Sequence, residues 1–385
     1  MGLRGGLLGS ENPIHYADPT MRLPPTTVAA LTLGALAAVG SLATAGCAHL
    51  GPRTLRANRF HYNQAVARSA DEQMLLNLVR LRYRDNPLFL EVSSVVTHYT
   101  FGGNASAGGR IGKGSNGADV GTGIEYTEEP TVSYTPLQGK EFVTSLLTPI
   151  SIDNLFLLSQ TGWSVERLLL CCVQRVNGLP NAVAAAGPTP DYVPEYADFH
   201  RAAAALRRLQ IAGRLTIAER KDGRWLRIEP APPPARDDPD LHELQRLLGL
   251  DPARTDYRLV ARTDGEHAPD EIAVTPRSLL AVMFFLSQAV EPPSRDEEHG
   301  LVTVTRDAGG HPFDWQQVVG PLMRIRSAAD SPADASLAVF YRGRWFFIDD
   351  ADRNSKTTFN LLAYLQAIQA GGADGEHPLL TLGVN

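Results

Sequence analysis

The chain has 385 residues, with 36 Lys and Arg against 42 Asp and Glu and a formal net charge of −6. A weakly acidic chain without a basic block argues against nucleic-acid binding and offers no polybasic patch to an anionic membrane. Its three cysteines, two of them adjacent, form neither a disulfide framework nor a CxxC zinc pattern.

The first element in chain order is a leader, expected over residues 1–46. Val28–Leu42 consists almost wholly of Val, Ala, Leu and Gly, carries no charge, follows Arg22 and runs on to Ala45-Gly46-Cys47. That is the order of an export signal: a positive start, a short apolar run and small residues at a cleavage point. Glu11 and Asp18 do not suit such a start, so Met21 is the expected first residue. The stretch Leu42-Ala43-Thr44-Ala45-Gly46-Cys47 resembles the lipobox of bacterial lipoproteins, with Thr44 where the family pattern usually has Leu. The resemblance covers the leader alone. It implies diacylglyceryl transfer to the Cys47 sulfur, cleavage before Cys47 and acylation of the new amine. Ala48 rather than Asp after the cysteine implies sorting to the outer membrane, with the body on its periplasmic face. The competing reading is an uncleaved membrane helix, which needs about 20 apolar residues. The run reaches that length only by counting Thr26, Thr27, Thr44 and His49.

Residues 47–57 then read as a lipidated tether, reaching roughly 35 Å at about 3.3–3.6 Å per residue. Ser69-Ala70-Asp71-Glu72 has the pattern of a helix-starting capping box, and Met74, Leu75, Leu78, Val79 and Leu81 continue as a helical stripe towards Pro87. Arg80, Arg82 and Arg84 read as a solvated end matched to the helix dipole. Further helices are expected over 138–148, 152–159 and 164–176, the last carrying Cys171 and Cys172 as buried free thiols. The Pro-rich, small-residue stretch 179–194 is the expected linker between an N-terminal helical domain (58–178) and a C-terminal domain (195–385). In the latter, helices are expected near 195–212, 240–249, 276–290 and 354–370. Strands are expected near 215–219, 225–229, 257–262, 270–274, 301–305, 336–341, 344–348 and 378–383. Mixed order with tight hairpins gives an α+β fold of helices and antiparallel hairpins. Gly223–Glu229 and Gly343–Asp349 echo each other, as a duplicated unit or as two convergent hairpins.

Residues 92–135 stand apart. Val95, Thr97, Tyr99, Phe101, Gly103, Ala105 and Ala107 alternate with Val96, His98, Thr100, Gly102, Asn104 and Ser106. Val120, Thr122, Ile124 and Tyr126 alternate on the return from a Gly-rich tip at 112–117. Period-two alternation over this length predicts a long Gly-rich amphipathic β-hairpin. Three roles are open to it: a membrane hairpin closed into a barrel by other subunits, an arm adding to a partner's sheet edge, or a flexible loop.

Enzyme motifs fail on inspection. Ile111–Ser115 lacks the residues of a phosphate loop, and His242-Glu243-Leu244-Gln245-Arg246 lacks the second histidine of a zinc-protease helix. Asp350–Asn354 starts like a calcium loop but has Ser355 where Gly is required and Leu361 where Glu is required. Asn354 or Ser355 is the expected cap of the helix that follows. The one polar crowding left is Asp349, Asp350, Asp352 and Lys356, the candidate site if the chain is a periplasmic enzyme. His98, His299 and His311 have no ligand spacing, and neither a metal nor a cofactor is expected. The resulting expectation is a lipid-anchored envelope protein that acts through protein partners or as a homo-oligomer.

Overall fold

The computed structural model describes residues 60–110, 117–187, 192–230, 238–262 and 266–370. The leader, the Cys47 lipobox, the whole tether, the phosphate-loop-like segment and the strand expected at 378–383 lie outside them. Two units are distinguished, Met1–Ala65 and Val66–Asn385. Of the first, only residues 60–65 are described, and they are helical. Everything below concerns the second.

Helix α1 occupies residues 66–82 of this unit and is already formed upstream of Ser69, so the capping-box pattern is not a helix start. Its apolar stripe is buried through Leu75, Leu78, Val79 and Leu81. The arginines at its end are not a solvated cluster. Arg82 is buried and donates to the Thr303 carbonyl, and Arg84 donates to the Thr303 hydroxyl. The first of these bonds accompanies the finding that the strand expected at 301–305 is a loop: a backbone carbonyl there is met by a side chain rather than by a neighbouring strand.

Strands β1 (Leu90–Arg110) and β2 (Gly117–Pro136) pair antiparallel and form a two-stranded sheet by themselves. Helices α2 (Lys140–Leu147), α3 (Ile152–Gln160) and α4 (Val165–Cys172) follow. Ser151 and Ser164 cap the last two by accepting from Asn154 N and Arg167 N. The helix expected over 164–176 stops at Cys172, and the chain turns directly into β3 (Val173–Val176) and β4 (Leu179–Pro180). Asn177 and Gly178, both at positive φ (45° and 81°), make the turn. Two left-handed residues are what a tight hairpin of this hand requires.

Helix α5 (Ala197–Ile211), the hairpin β5 (Leu215–Arg220) and β6 (Gly223–Ile228), and α6 (Pro239–Leu248) come next. They are followed by β7 (Asp256–Ala261), β8 (Glu271–Pro276) and the almost wholly apolar α7 (Leu279–Ser287). Six strands join in the order β4-β3-β8-β7-β6-β5. All neighbours are antiparallel except β7 and β8. Short helices α8 (Ser294–Glu298) and α9 (Gln316–Val319) lead to a three-stranded sheet, β10-β11-β9. It is built from β9 (Arg326–Ala328), β10 (Ala335–Tyr341) and β11 (Arg344–Asp349), and α10 (Arg353–Ala370) closes the described chain.

The mixed α+β class therefore holds, but the expected division into 58–178, a linker at 179–194 and 195–385 does not. Val176 pairs with Val274 across the supposed boundary, and Ala182 and Ala185 are fully buried within it. The echo between 223–229 and 343–349 is two hairpins in two different sheets, the second entered through β9.

Arg277 locks this joint. It is buried, stacks 3.9 Å over the Phe285 ring, and donates to the carbonyls of Leu170, Cys171 and Asn181. A cation at the C-terminal end of α4 satisfies carbonyls that the helix leaves open and matches its dipole. Burial lowers the guanidinium to about 10, which leaves it charged at neutral pH. Cys171 and Cys172 lie beside it as buried free thiols.

Candidate functional site

Three places compete. The first is the polar crowding at the β11–α10 junction. Asp349 accepts from Arg326 at 3.1 Å and from Ala351 N at 2.9 Å. Asp350 pairs with Lys356 at 2.6 Å, its side chain two-thirds exposed. Asp352 is the true cap of α10, accepting from the Ser355 amide at 3.0 Å and from its hydroxyl at 2.6 Å. Ser355 in turn accepts from Arg324 N at 2.8 Å. The four predicted residues are thus adjacent, but the observed bonds of each are spent on starting a helix and tying it to β9 and β11. None lines the cavity described below. On α6, Glu243 faces Arg208, and the inward positions are Leu244 and Gln245. His98, His299 and His311 are exposed and separate. Among the described residues, no three His, Cys, Asp or Glu side chains converge as a metal site.

The second place is the pair β1–β2. Its register runs without interruption from Ser94↔Ser133 to Arg110↔Gly117, and a bulge lies between Val92 and Ser94. At about 3.3 Å per residue each strand extends some 65–70 Å. The base is anchored: Leu90 N donates to the Gln73 side chain, Leu137 N to the Phe89 carbonyl, and Phe89 meets Phe142 edge to face. At the base end of β2, Thr131–Pro136 are all exposed, and neither strand pairs with any other described strand. Both outer edges therefore present unsatisfied backbone groups.

The third place gave no motif. A cavity of about 370 Å³ lies between α3, α4 and α5 and the sheet face carrying Leu226, Leu259, Ile272 and Val274. Its polar lining residues are Ser159, Gln160, Gln210 and Thr216, of which Gln160 and Thr216 are exposed. Gln210 accepts from Val165 N and donates to the Trp163 carbonyl, and the Ser159 hydroxyl donates to the Phe156 carbonyl. Arg224 lies 4.2 Å over the ring of Phe156, a lining residue, and pairs with Asp153 at the start of α3 at 2.5 Å. Most lining residues read in the sequence as ordinary core, which is why sequence reasoning missed it. The only local sign is that α3 has its Leu157 exposed while Leu155 and Phe156 face the void.

No family model matches the chain, and no curated protein or solved structure is significantly similar to it.

Proposed function

We propose that this chain is an outer-membrane-anchored periplasmic lipoprotein, held by lipid on Cys47, that serves without catalysis as an assembly component of a cell-envelope complex. The observation that carries this reading is the self-paired β1–β2 hairpin. An isolated two-stranded hairpin is marginal in water, and independent stability takes three or more strands or packing on a helix. Twenty residues per strand with open edges are a demand for a partner. Strand addition meets it, with backbone bonds supplying affinity and alternate side chains supplying specificity. The register supports an amphipathic reading, because it sets Val95 opposite Val132, Phe101 opposite Tyr126 and Ala107 opposite Val120. Alternating sequence positions of like character thus coincide across the pair.

A second reading, a subunit giving this hairpin to an oligomeric outer-membrane pore, draws on the same register. Membrane strands need only about 9–11 residues, and each strand here is nearly twice that. Glu128, opposite Tyr99, interrupts the apolar positions. The arm is therefore the better reading.

The test is the size of the detergent-extracted native complex, with and without residues 94–132 replaced by a short Gly-Ser turn. Loss of the larger assembly supports the arm, and single-channel conductance that vanishes with the hairpin selects the pore. A monomer in both cases overturns both. Mass spectrometry of the mature N-terminus tests the anchor separately, and an unmodified Cys47 or an intact leader removes it.

A further inference from the structure

We propose that the cavity beneath α3 is a binding site for a hydrocarbon chain, with α3 as its cover and the Arg224–Asp153 pair as the latch. The inference does not depend on the hairpin or on the anchor.

The void is too large and too dry to be a packing defect. Protein interiors hold few voids larger than a water molecule, and an apolar cavity of about 150 Å³ is already enough to admit a small aromatic ligand. This one measures about 370 Å³, within the usual span of small-molecule pockets. A buried water needs two to four polar partners. Of the four polar lining side chains, Ser159 and Gln210 bond to the chain's own backbone, and Gln160 and Thr216 are exposed to solvent. The surroundings therefore favour a ligand without hydrogen-bonding groups along its buried length. An elongated apolar chain fits, since the lining runs across five strands from Val173 to Leu215 and under three helices.

Arg224 lies on the same face of β6 as the lining residue Leu226, two positions along. Its guanidinium faces two carboxylates, Asp153 at 2.5 Å and Glu219 at 3.7 Å. One cation between two anions leaves no surplus positive charge for an anionic headgroup. Recognition then rests on the chain, and the head stays outside. A carboxylate-bound fatty acid site would instead hold an arginine free of acidic neighbours. The pairing also joins the first turn of α3 to β6, so separating it frees the helix that covers the void.

The full chain, purified in a detergent that is then removed by exchange into amphipol, is titrated with dansyl-undecanoic acid, whose emission shifts to the blue in apolar surroundings. Dodecanol and laurate compete for the probe. Saturable one-to-one binding is expected, with the two competitors within about threefold of each other because the head makes no contact. Leu259→Trp and Val176→Phe fill the cavity and are each expected to weaken the probe about tenfold or more. Asp153→Asn opens the latch without touching the lining and is expected to speed probe release severalfold at an unchanged melting temperature. That variant keeps the test decisive if a filling variant fails to fold. A Cys47→Ser variant that binds the probe while the lipidated protein does not supports the cavity and identifies the occupant as the protein's own acyl chain. No saturable binding by either form overturns the proposal. So does laurate binding at least tenfold tighter than dodecanol, or filling variants that bind like the unmodified protein.

Discussion

The body and the hairpin of this molecule are held together in opposite ways. In the body, strand β8 is buried on both sides, helices cover the sheet, and the buried Asn177 side chain is bonded on both sides: it donates to the Leu248 and Glu271 carbonyls and accepts from Ala273 N. In the hairpin, each strand has one neighbour and the described part of β2 beyond residue 130 is exposed. The difference teaches where stability and function separate. The body has a buried core, and the hairpin has backbone pairing in which each strand has one edge without a strand neighbour among the described residues.

The comparison breaks most sharply at Arg277. Arg277→Met leaves the buried Leu170, Cys171 and Asn181 carbonyls without this donor and, at about 1 kcal/mol or more for each, is expected to cost about 3–5 kcal/mol in urea unfolding. Phe285→Ala belongs in the same range, about 3–5 kcal/mol, because the ring is fully buried and carries the guanidinium. If either change leaves the body's midpoint within error, the joint described here is not what holds the sheet to α4. The next effect is pH-dependent. Burial first, and then the charge of Arg277, push His200 from 6.5 down to about 4. The unfolded chain therefore binds a proton that the folded chain refuses between those values, and stability falls as pH drops through that window. The loss is expected to reach about 2 kcal/mol, discounted for the partial exposure of the ring. In His200→Gln the slope of the unfolding free energy between pH 6.5 and 4 should flatten, and an unchanged slope assigns the acid sensitivity elsewhere. Asp352→Ala removes the α10 cap and is expected to cost about 1 kcal/mol by thermal unfolding. Asp350→Asn, at an exposed ion pair, should stay within about 0.5 kcal/mol, and a larger loss would revive that junction as a specialised site. Smallest of all, replacing 94–132 by a short turn should move the body's unfolding midpoint by no more than about 0.5 kcal/mol. A larger drop would mean that the hairpin belongs to the core after all.

Much of the body was legible because its signals are local. The helices expected over 152–159 and near 240–249 are α3 and α6, and the strands expected near 215–219 and 225–229 are the hairpin β5–β6. What misled the reading was equally local information overridden by distant partners. Leu168–Val173 is a run that periodicity alone cannot divide between helix and strand. The division at Cys172 is set by β8, whose Pro276 pairs with Val173. One signal was present and undervalued: Asn177-Gly178 is among the strongest short hairpin signals, and it marks a turn rather than a domain boundary. Arg82 reads as a surface cation only because Thr303 lies more than two hundred residues away. The candidate sites divide in the same manner. The hairpin's alternation was plain, the acidic cluster was visible but local in purpose, and the cavity exists only where three helices meet a sheet.

The pairing of β3 with β8 has a consequence in time. Val173 cannot find Pro276 until roughly a hundred further residues are available. In a chain that emerges from its amino end, α4 with Leu168, Leu170 and both cysteines arrives early and waits without its cover. Long-range pairing of this kind slows folding and prolongs the exposure of apolar surface. The order of emergence therefore sets a vulnerable interval, which opens at α4 and closes when Arg277 arrives.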